Sequence, residues 1–266
     1  MACCVQCTHL DGCRDMMIWI SSDKLLNDDL NQFRQTKYKL DYLCLQETHL
    51  KESGEIDINS NTGRKLKLFY SGINIEDKTK SKLRNYAGVG ILVDKNFTGY
   101  FTKISDRLCY IKFQNKNRSF YIISCYAPTL KNSENNPKIR QDFYDDLDNL
   151  IQKMGNKKHI YIGGDFNAKV GYYANKDYKD NAGPFGKGIR NSNGEILLDF
   201  ARRNNLIITN TCFEHKLAHR STWTCEAHGN RINPIRNQID YILCKSQNKK
   251  EIINARSYGG MTGFRP

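Results

Sequence analysis

The amino-acid sequence predicts an α+β fold, a four-layer α/β/β/α sandwich in which two mixed β-sheets pack face to face with helices outside. Three observations lead there. Short runs rich in Ile, Val, Tyr and Phe recur along the chain. The helical stripes between them are too few for a repeated βαβ pattern. No Pro- or Gly-rich hinge divides the 266 residues, so the bulk of the chain reads as one domain.

Residues 24–38 come first, as a helix with Leu26, Leu30 and Phe33 on one face. LDYLCLQ (40–46) then reads as a buried strand. GVGILVD (88–94), RLCYIKF (107–113) and SFYIISCYAP (119–128) are further strands. Residues 137–154 form the best-marked helix. Ile139, Phe143, Leu147, Leu150, Ile151 and Met154 share a stripe, and Pro137 suits the first turn. HIYIGGD (159–165) is a strand ending in glycines. A helix over 194–204 follows, with Asn193 as its cap, and then the strands LIITN (206–210) and QIDYILC (238–244).

Composition narrows the function. Hydrophobic residues make up 39% and charged residues 26%, which is globular rather than disordered. No apolar run approaches the ~18 residues of a membrane span, and no basic-then-apolar leader opens the chain. Membrane and secreted roles are therefore not expected. Lys+Arg is 41 against Asp+Glu 28, a formal +13, which suits a polyanionic partner such as nucleic acid. Four of the ten cysteines, Cys44, Cys109, Cys125 and Cys244, fall in strand runs, as buried free thiols do. Cys3, Cys4, Cys7, His9 and Cys13 crowd the first residues. Only Thr8 separates Cys7 from His9, too tight for paired zinc ligands, so residues 1–20 read as an irregular segment.

Four strand ends carry chemistry. Glu47 closes LDYLCLQE, where a carboxylate at the end of a buried strand can hold a hard cation such as Mg²⁺. In GGDFNAKVG (163–171), alternation puts Asp165 and Asn167 on one face and Phe166 on the other, while Gly163 and Gly164 permit close approach. A carboxylate beside an amide suits water activation with hydrogen bonding to a transition state. Asp240 sits inside the apolar run of RNQIDYILC (236–244) and needs a partner. Tyr126 in SCYAPT (124–129) can donate to a phosphate oxygen.

QETH, CYAPT, GGDFNAKVG and NQIDYIL, in that order, resemble the endonuclease/exonuclease/phosphatase superfamily, which includes the apurinic endonucleases and deoxyribonuclease I. YAGVGILVDK (86–95), NGEILLDFARRNNLIITNTCF (193–213) and STWTCEAHGNRINPIRNQIDYIL (221–243) look like the endonuclease domain of non-LTR, LINE-type retrotransposons of the RTE and bovine-B-like clade. The resemblance implies a metal-dependent endonuclease that nicks one DNA strand and leaves a 3′-hydroxyl. It implies Glu47 as the ligand for Mg²⁺ (or Mn²⁺) and Tyr126 at the scissile phosphate. Asp165 would position or deprotonate the water, Asn167 would hold the phosphate, and Asp240 would orient a catalytic histidine. The implied partners are DNA and, in a full-length element, a reverse transcriptase domain on the same chain, with neither a membrane nor a small-molecule cofactor. A nuclear location follows from the substrate.

The pattern breaks at both ends. The family's opening Trp-Asn-Val strand has no match in residues 1–20. The closing Ser-Asp-His segment is absent after INARSYGG, and no histidine follows His228. The expected domain thus spans 21–266, cut short at its C-terminus and lacking its first and last strands, and weak or silent in catalysis. A silent DNA-binding remnant and a phosphoesterase on other phosphates are the competing readings.

Arg231, Arg236 and Asn237, ahead of Asp240, are the candidate DNA contacts. Lys78, Lys80, Lys82 and Arg84 read as a solvated loop. His49 reads as scaffold, and His215 with His219, without a helical stripe, are not read as a zinc pair. Trp223 is assigned to the core rather than to base stacking.

Overall fold

A computed structural model describes residues 2–10, 13–20, 41–59, 65–74, 87–115, 117–129, 137–155, 159–172, 178–225 and 233–258, the first two segments as backbone only. Fifteen strands and two α-helices appear among these residues. Seven strands form one sheet: β1 (Ala2–Leu10), β2 (Cys13–Ile20), β3 (Tyr42–Gln46), β4 (Ser53–Asn59), β5 (Lys65–Ser71), β6 (Val89–Asp94) and β15 (Ile252–Tyr258), in the order β15-β1-β2-β3-β6-β5-β4. Six form the second: β7 (Tyr100–Ser105), β8 (Leu108–Asn115), β9 (Arg118–Tyr126), β10 (His159–Asp165), β11 (Leu206–Ile208) and β14 (Asp240–Lys245), in the order β11-β14-β10-β9-β8-β7. Each sheet is mixed, with one parallel pair: β2 with β3, and β9 with β10. β12 (Trp223–Cys225) and β13 (Ile235–Asn237) make a separate ribbon.

The expectation of two mixed sheets holds, and the period-2 alternation shows why they stack. On β9, Phe120, Ile122 and Tyr126 face the other sheet alongside Cys44, Val89 and Ile91. Tyr121, Ile123 and Cys125, one step out of phase, face the helices. Those helices are α1 (Pro137–Met154) and α2 (Ser192–Arg203). Phe143, Leu147, Leu150, Ile151 and Met154 of α1 are buried on that face, as the sequence stripe predicts, whereas Ile139 in the first turn is exposed. Cys44, Cys109, Cys125 and Cys244 are buried free thiols, as expected. None of the helices is long and apolar enough to cross a membrane among the described residues.

Three expectations need correction. Residues 2–10 and 13–20 are not irregular; they are strands, with β2 parallel to β3 in register Trp19↔Leu45. The run Met16-Met17-Ile18-Trp19-Ile20 is apolar and strand-prone, and a ladder needs no sequence motif to form. The cap of α2 is Asn191 rather than Asn193, because it is the Asn191 side chain that accepts from Gly194 N–H. Residues 209–211 leave the strand as a 3₁₀ turn. The helix expected at 24–38 and the basic run at 78–84 lie outside the described residues.

Candidate active site

The neighbouring ends of β3, β9, β10 and β14 build the site. Register sets Asp165 directly beside Tyr126 on one side and Asp240 on the other. Gly164 permits this: a Cβ there would strike the backbone carbonyl of Cys125 on β9. Glu47 just past β3 and Asn167 just past β10 both adopt left-handed φ, 51° and 47°. Non-glycine residues hold that conformation only where the surroundings impose it.

Hydrogen bonds fix the constellation. The Tyr126 hydroxyl donates to Glu47 Oε1 at 2.6 Å, joining the two sheets. Asn167 N–H donates to Asp165 Oδ1 at 2.7 Å, and Asn167 Nδ2 donates to the Ala127 carbonyl at 2.8 Å. Ala127 N–H donates to the Asp165 carbonyl at 2.8 Å. One layer deeper, Gln46 Nε2 donates to Ser124 Oγ at 3.2 Å and ties the sheets together again. Glu47, Tyr126, Asp165 and Asn167 line one cavity of about 390 Å³, joined by Lys169, Asn191, Trp223 and Asn237.

Electrostatics follows burial. Asp165 is 4% exposed, and burial pushes its carboxyl up to about 7; the Glu47 charge adds to this, while Asn167 N–H and Arg107 pull back. Burial, and next the Glu47 charge, push the Tyr126 phenol up, so it remains a neutral donor. Arg107 braces it: Nη1 donates to the Tyr126 carbonyl at 3.2 Å, and the guanidinium lies 4.9 Å from the ring centre. Asp240 is 2% exposed, and neither carboxylate oxygen has a hydrogen-bond partner among the described residues. Burial, and next the Asp165 charge, raise its pKa well above the carboxylate range. Thr222 Oγ1, which accepts from Ile239 and Asp240 N–H, is the neighbour that opposes this.

The donor set suits a hard divalent ion. Glu47, Asp165 and Asn167, which carry carboxylate and amide oxygens, line one cavity, and no Cys or His is among its lining residues. No group of three or more His, Cys, Asp or Glu among the described residues could hold an ion by itself. An ion held there would complete its shell with water and substrate phosphate oxygens.

Of the expected DNA contacts, Asn237 lies opposite Trp223 on the β12–β13 ribbon, and both line the cavity. Arg236 is exposed on the same ribbon, near enough to Lys187 for its charge to help burial lower that ammonium's pKa. Arg231 lies outside the described residues. Trp223 is not a core residue: it is 38% exposed, because its short strand belongs to the ribbon rather than to a sheet. His215 Nε2 faces Asn254 Oδ1 at 2.8 Å and His219 Nδ1 faces the Ser257 carbonyl at 3.3 Å, both on β15. Sequence reasoning did not single out Arg107, Lys169 or Asn191, and took Asn193 only as a helix cap. The Asn-Ser-Asn spacing ahead of the α2 stripe was the one local signal for the two asparagines.

Over 235 residues the chain is 30% identical to craniofacial development protein 2 of Bos taurus, covering 87% of this chain and 36% of that protein. The chain thus spans about a third of the length of that curated relative. In structure it resembles the endonuclease domain of TRAS1, a telomere-specific non-LTR retrotransposon (TM-score 0.54, 13% identity, 87% and 85% of the two chains). It also resembles the 3′-5′ exonuclease NExo of Neisseria meningitidis (TM-score 0.57, 17% identity, 88% of each chain). At these identities the structural likenesses establish the fold. Residues 23–251 match the sequence model for this architecture, and on that match the chain belongs to the Endonuclease/Exonuclease/phosphatase family of hydrolases.

Proposed function

We propose that the site hydrolyses a phosphodiester in DNA, nicking one strand as a metal-dependent endonuclease of the non-LTR, RTE-like type. The observation that carries this reading is the meeting of Glu47, Tyr126, Asp165 and Asn167 in one cavity, from strands of both sheets. The net charge of +13 and the exposed Arg236 beside the mouth favour a polyanion over a small phosphate ester.

In this reading the oxygen of a water forms a bond to phosphorus, and the bond from phosphorus to the 3′-oxygen breaks. The products are a 5′-phosphate and a 3′-hydroxyl, the leaving 3′-oxygen taking its proton from solvent. Asp165 takes the proton from the water. Its Oδ1 is occupied by Asn167 N–H, which leaves Oδ2 for that role. Asn167 has a second amide hydrogen for a phosphate oxygen, the first being fixed on Ala127. Tyr126 holds Glu47 in place through its hydroxyl and keeps that carboxylate turned into the cavity. A bound Mg²⁺ on Glu47 would neutralise charge on the leaving oxygen. A nuclear location belongs to the same reading.

The unpartnered carboxylate of Asp240 favours a second reading, a DNA-binding module that does not cleave, since no histidine is hydrogen-bonded to it among the described residues. Supercoiled plasmid with Mg²⁺ separates the two, with EDTA and Asp165→Ala as controls. Metal-dependent nicking that the variant lacks supports the endonuclease. Salt-sensitive binding by the folded chain without nicking supports the silent module.

A further inference from the structure

The backbone carbonyls of Asn167 and Pro128, one on each of the two loops that carry the site, are held by the same side chain. Asn193, the second residue of α2, is 2% exposed. Its Nδ2 donates to the Asn167 carbonyl at 2.9 Å and reaches the Pro128 carbonyl at 3.5 Å. Its Oδ1 accepts from Arg140 Nη1 of α1 at 3.1 Å. One buried amide therefore clamps the loop after β10 to the loop after β9, and Arg140 sets which end of the amide faces the carbonyls.

We infer that Asn193 is a positioning residue for phosphodiester hydrolysis, acting through Asn167. Three features make this more than helix anchoring. Capping of α2 is already done by Asn191, whose Oδ1 accepts from Gly194 and Lys169 N–H, each at 2.9 Å. The carbonyl that Asn193 grips belongs to the residue with φ of 47°, a conformation that needs outside support. The start of α2 also lies against the loop backbone: a Cβ on Gly194 would strike the Lys169 carbonyl. Neither Asn193 nor Arg140 lines the cavity, so loss of the clamp displaces Asn167 without removing a cavity-lining side chain.

This inference rests on the endonuclease reading, and the test separates the two. Asn193→Asp keeps the acceptor for Arg140 and removes both donated bonds; Asn193→Leu removes all three; Arg140→Met frees the amide to turn. Plasmid nicking with Mg²⁺ is measured as kcat and KM, together with Tm and amide hydrogen exchange over residues 125–129 and 165–169. Both Asn193 variants should lose about ten- to a hundredfold in kcat with KM within about twofold. Exchange should rise in those two segments alone, and Arg140→Met should fall between these variants and the parent. Unchanged kcat in Asn193→Asp overturns the inference. So does a loss of kcat that tracks Tm without local exchange. A parent chain that never nicks overturns the endonuclease reading instead, and the exchange comparison then decides whether Asn193 holds the loops.

Discussion

The Tyr126 hydroxyl donates to Glu47 Oε1 at 2.6 Å across 79 residues of sequence, and this bond couples the two sheets at the mouth of the site. Tyr126→Phe deletes the donor and leaves the carboxylate half-buried. The expected loss in stability is about 1 kcal/mol, because water repays part of the lost bond. Nicking should fall more, about a hundredfold, since Glu47 is no longer fixed toward the cavity. Paired Tm and kcat measurements on the variant check this; equal small losses in both would reduce the bond to a structural tie.

Asp165 should make the metal-free fold sensitive to pH. In the unfolded chain an aspartate ionises near 3.9, whereas burial holds this one to about 7 in the fold. Between those values the folded state keeps a proton that the unfolded state has lost. Stability from this group therefore falls as pH rises through that window and levels off above about 7, a change on the order of 4 kcal/mol. Asp165→Asn should flatten that limb, raising Tm at pH 8 in EDTA relative to the parent, while nicking drops about 10²–10⁴-fold. Denaturant melts from pH 4 to 8 show the limb; a parallel pair of curves would mean that the carboxyl ionises normally.

Much of this site could be read from the chain, and the remainder depends on contacts that sequence spacing does not encode. Asp165 and Asn167 were legible as a carboxylate–amide pair, although Asn167 reaches the cavity past the end of β10 through a left-handed φ and not by strand alternation, and α1 was legible because Pro137 and a one-sided stripe mark it. β4 and β5 were not read as strands, although Lys65-Leu66-Lys67-Leu68 alternates plainly. Their outer positions carry charge, with Lys67 on Glu55 at 3.0 Å and Lys95 on Asp57 at 2.6 Å, so the apolar signal is diluted. β1 and β2 depend on pairing with β15 and β3, partners about 250 and 26 residues away by their registers Ala2↔Tyr258 and Met16↔Tyr42. Trp223 read as core because the ribbon that lifts it to the cavity wall is only three residues wide on each strand. Arg107 carries no local signature; its role exists only once β8 lies beside β9.

Asp240 should behave as a neutral group wherever Asp165 titrates. The two lie opposite each other on adjacent strands, and the Asp165 charge is what adds to burial in holding the Asp240 proton. Asp240→Asn matches the shape of the protonated form. It should leave the midpoint of the pH–rate curve, set by Asp165 near 7, essentially in place. It should also raise stability increasingly as pH rises above about 4, where an unfolded aspartate loses the proton that burial keeps on Asp240 in the fold. A rate loss above about a hundredfold with unchanged Tm would show instead a charged Asp240 orienting a base.

In the endonuclease reading the ribbon should make a separable contribution to DNA binding. Arg236 is exposed on β13, and Lys187, half-buried, donates to Ser221 Oγ, with Arg236 and burial together lowering its pKa. Two neighbouring cations that destabilise each other gain most when a phosphate comes between them. Arg236→Ala and Lys187→Ala should each weaken plasmid binding and reduce the slope of log K against log salt by about one unit, with KM rising and kcat preserved. The double variant should lose less than the sum of the singles, because removing either cation relieves the repulsion on the other. Filter binding between 50 mM and 200 mM salt, a span over which phosphate contacts change affinity by orders of magnitude, resolves these slopes. Unchanged slopes in both single variants would take the DNA path off the ribbon and onto another face of the chain.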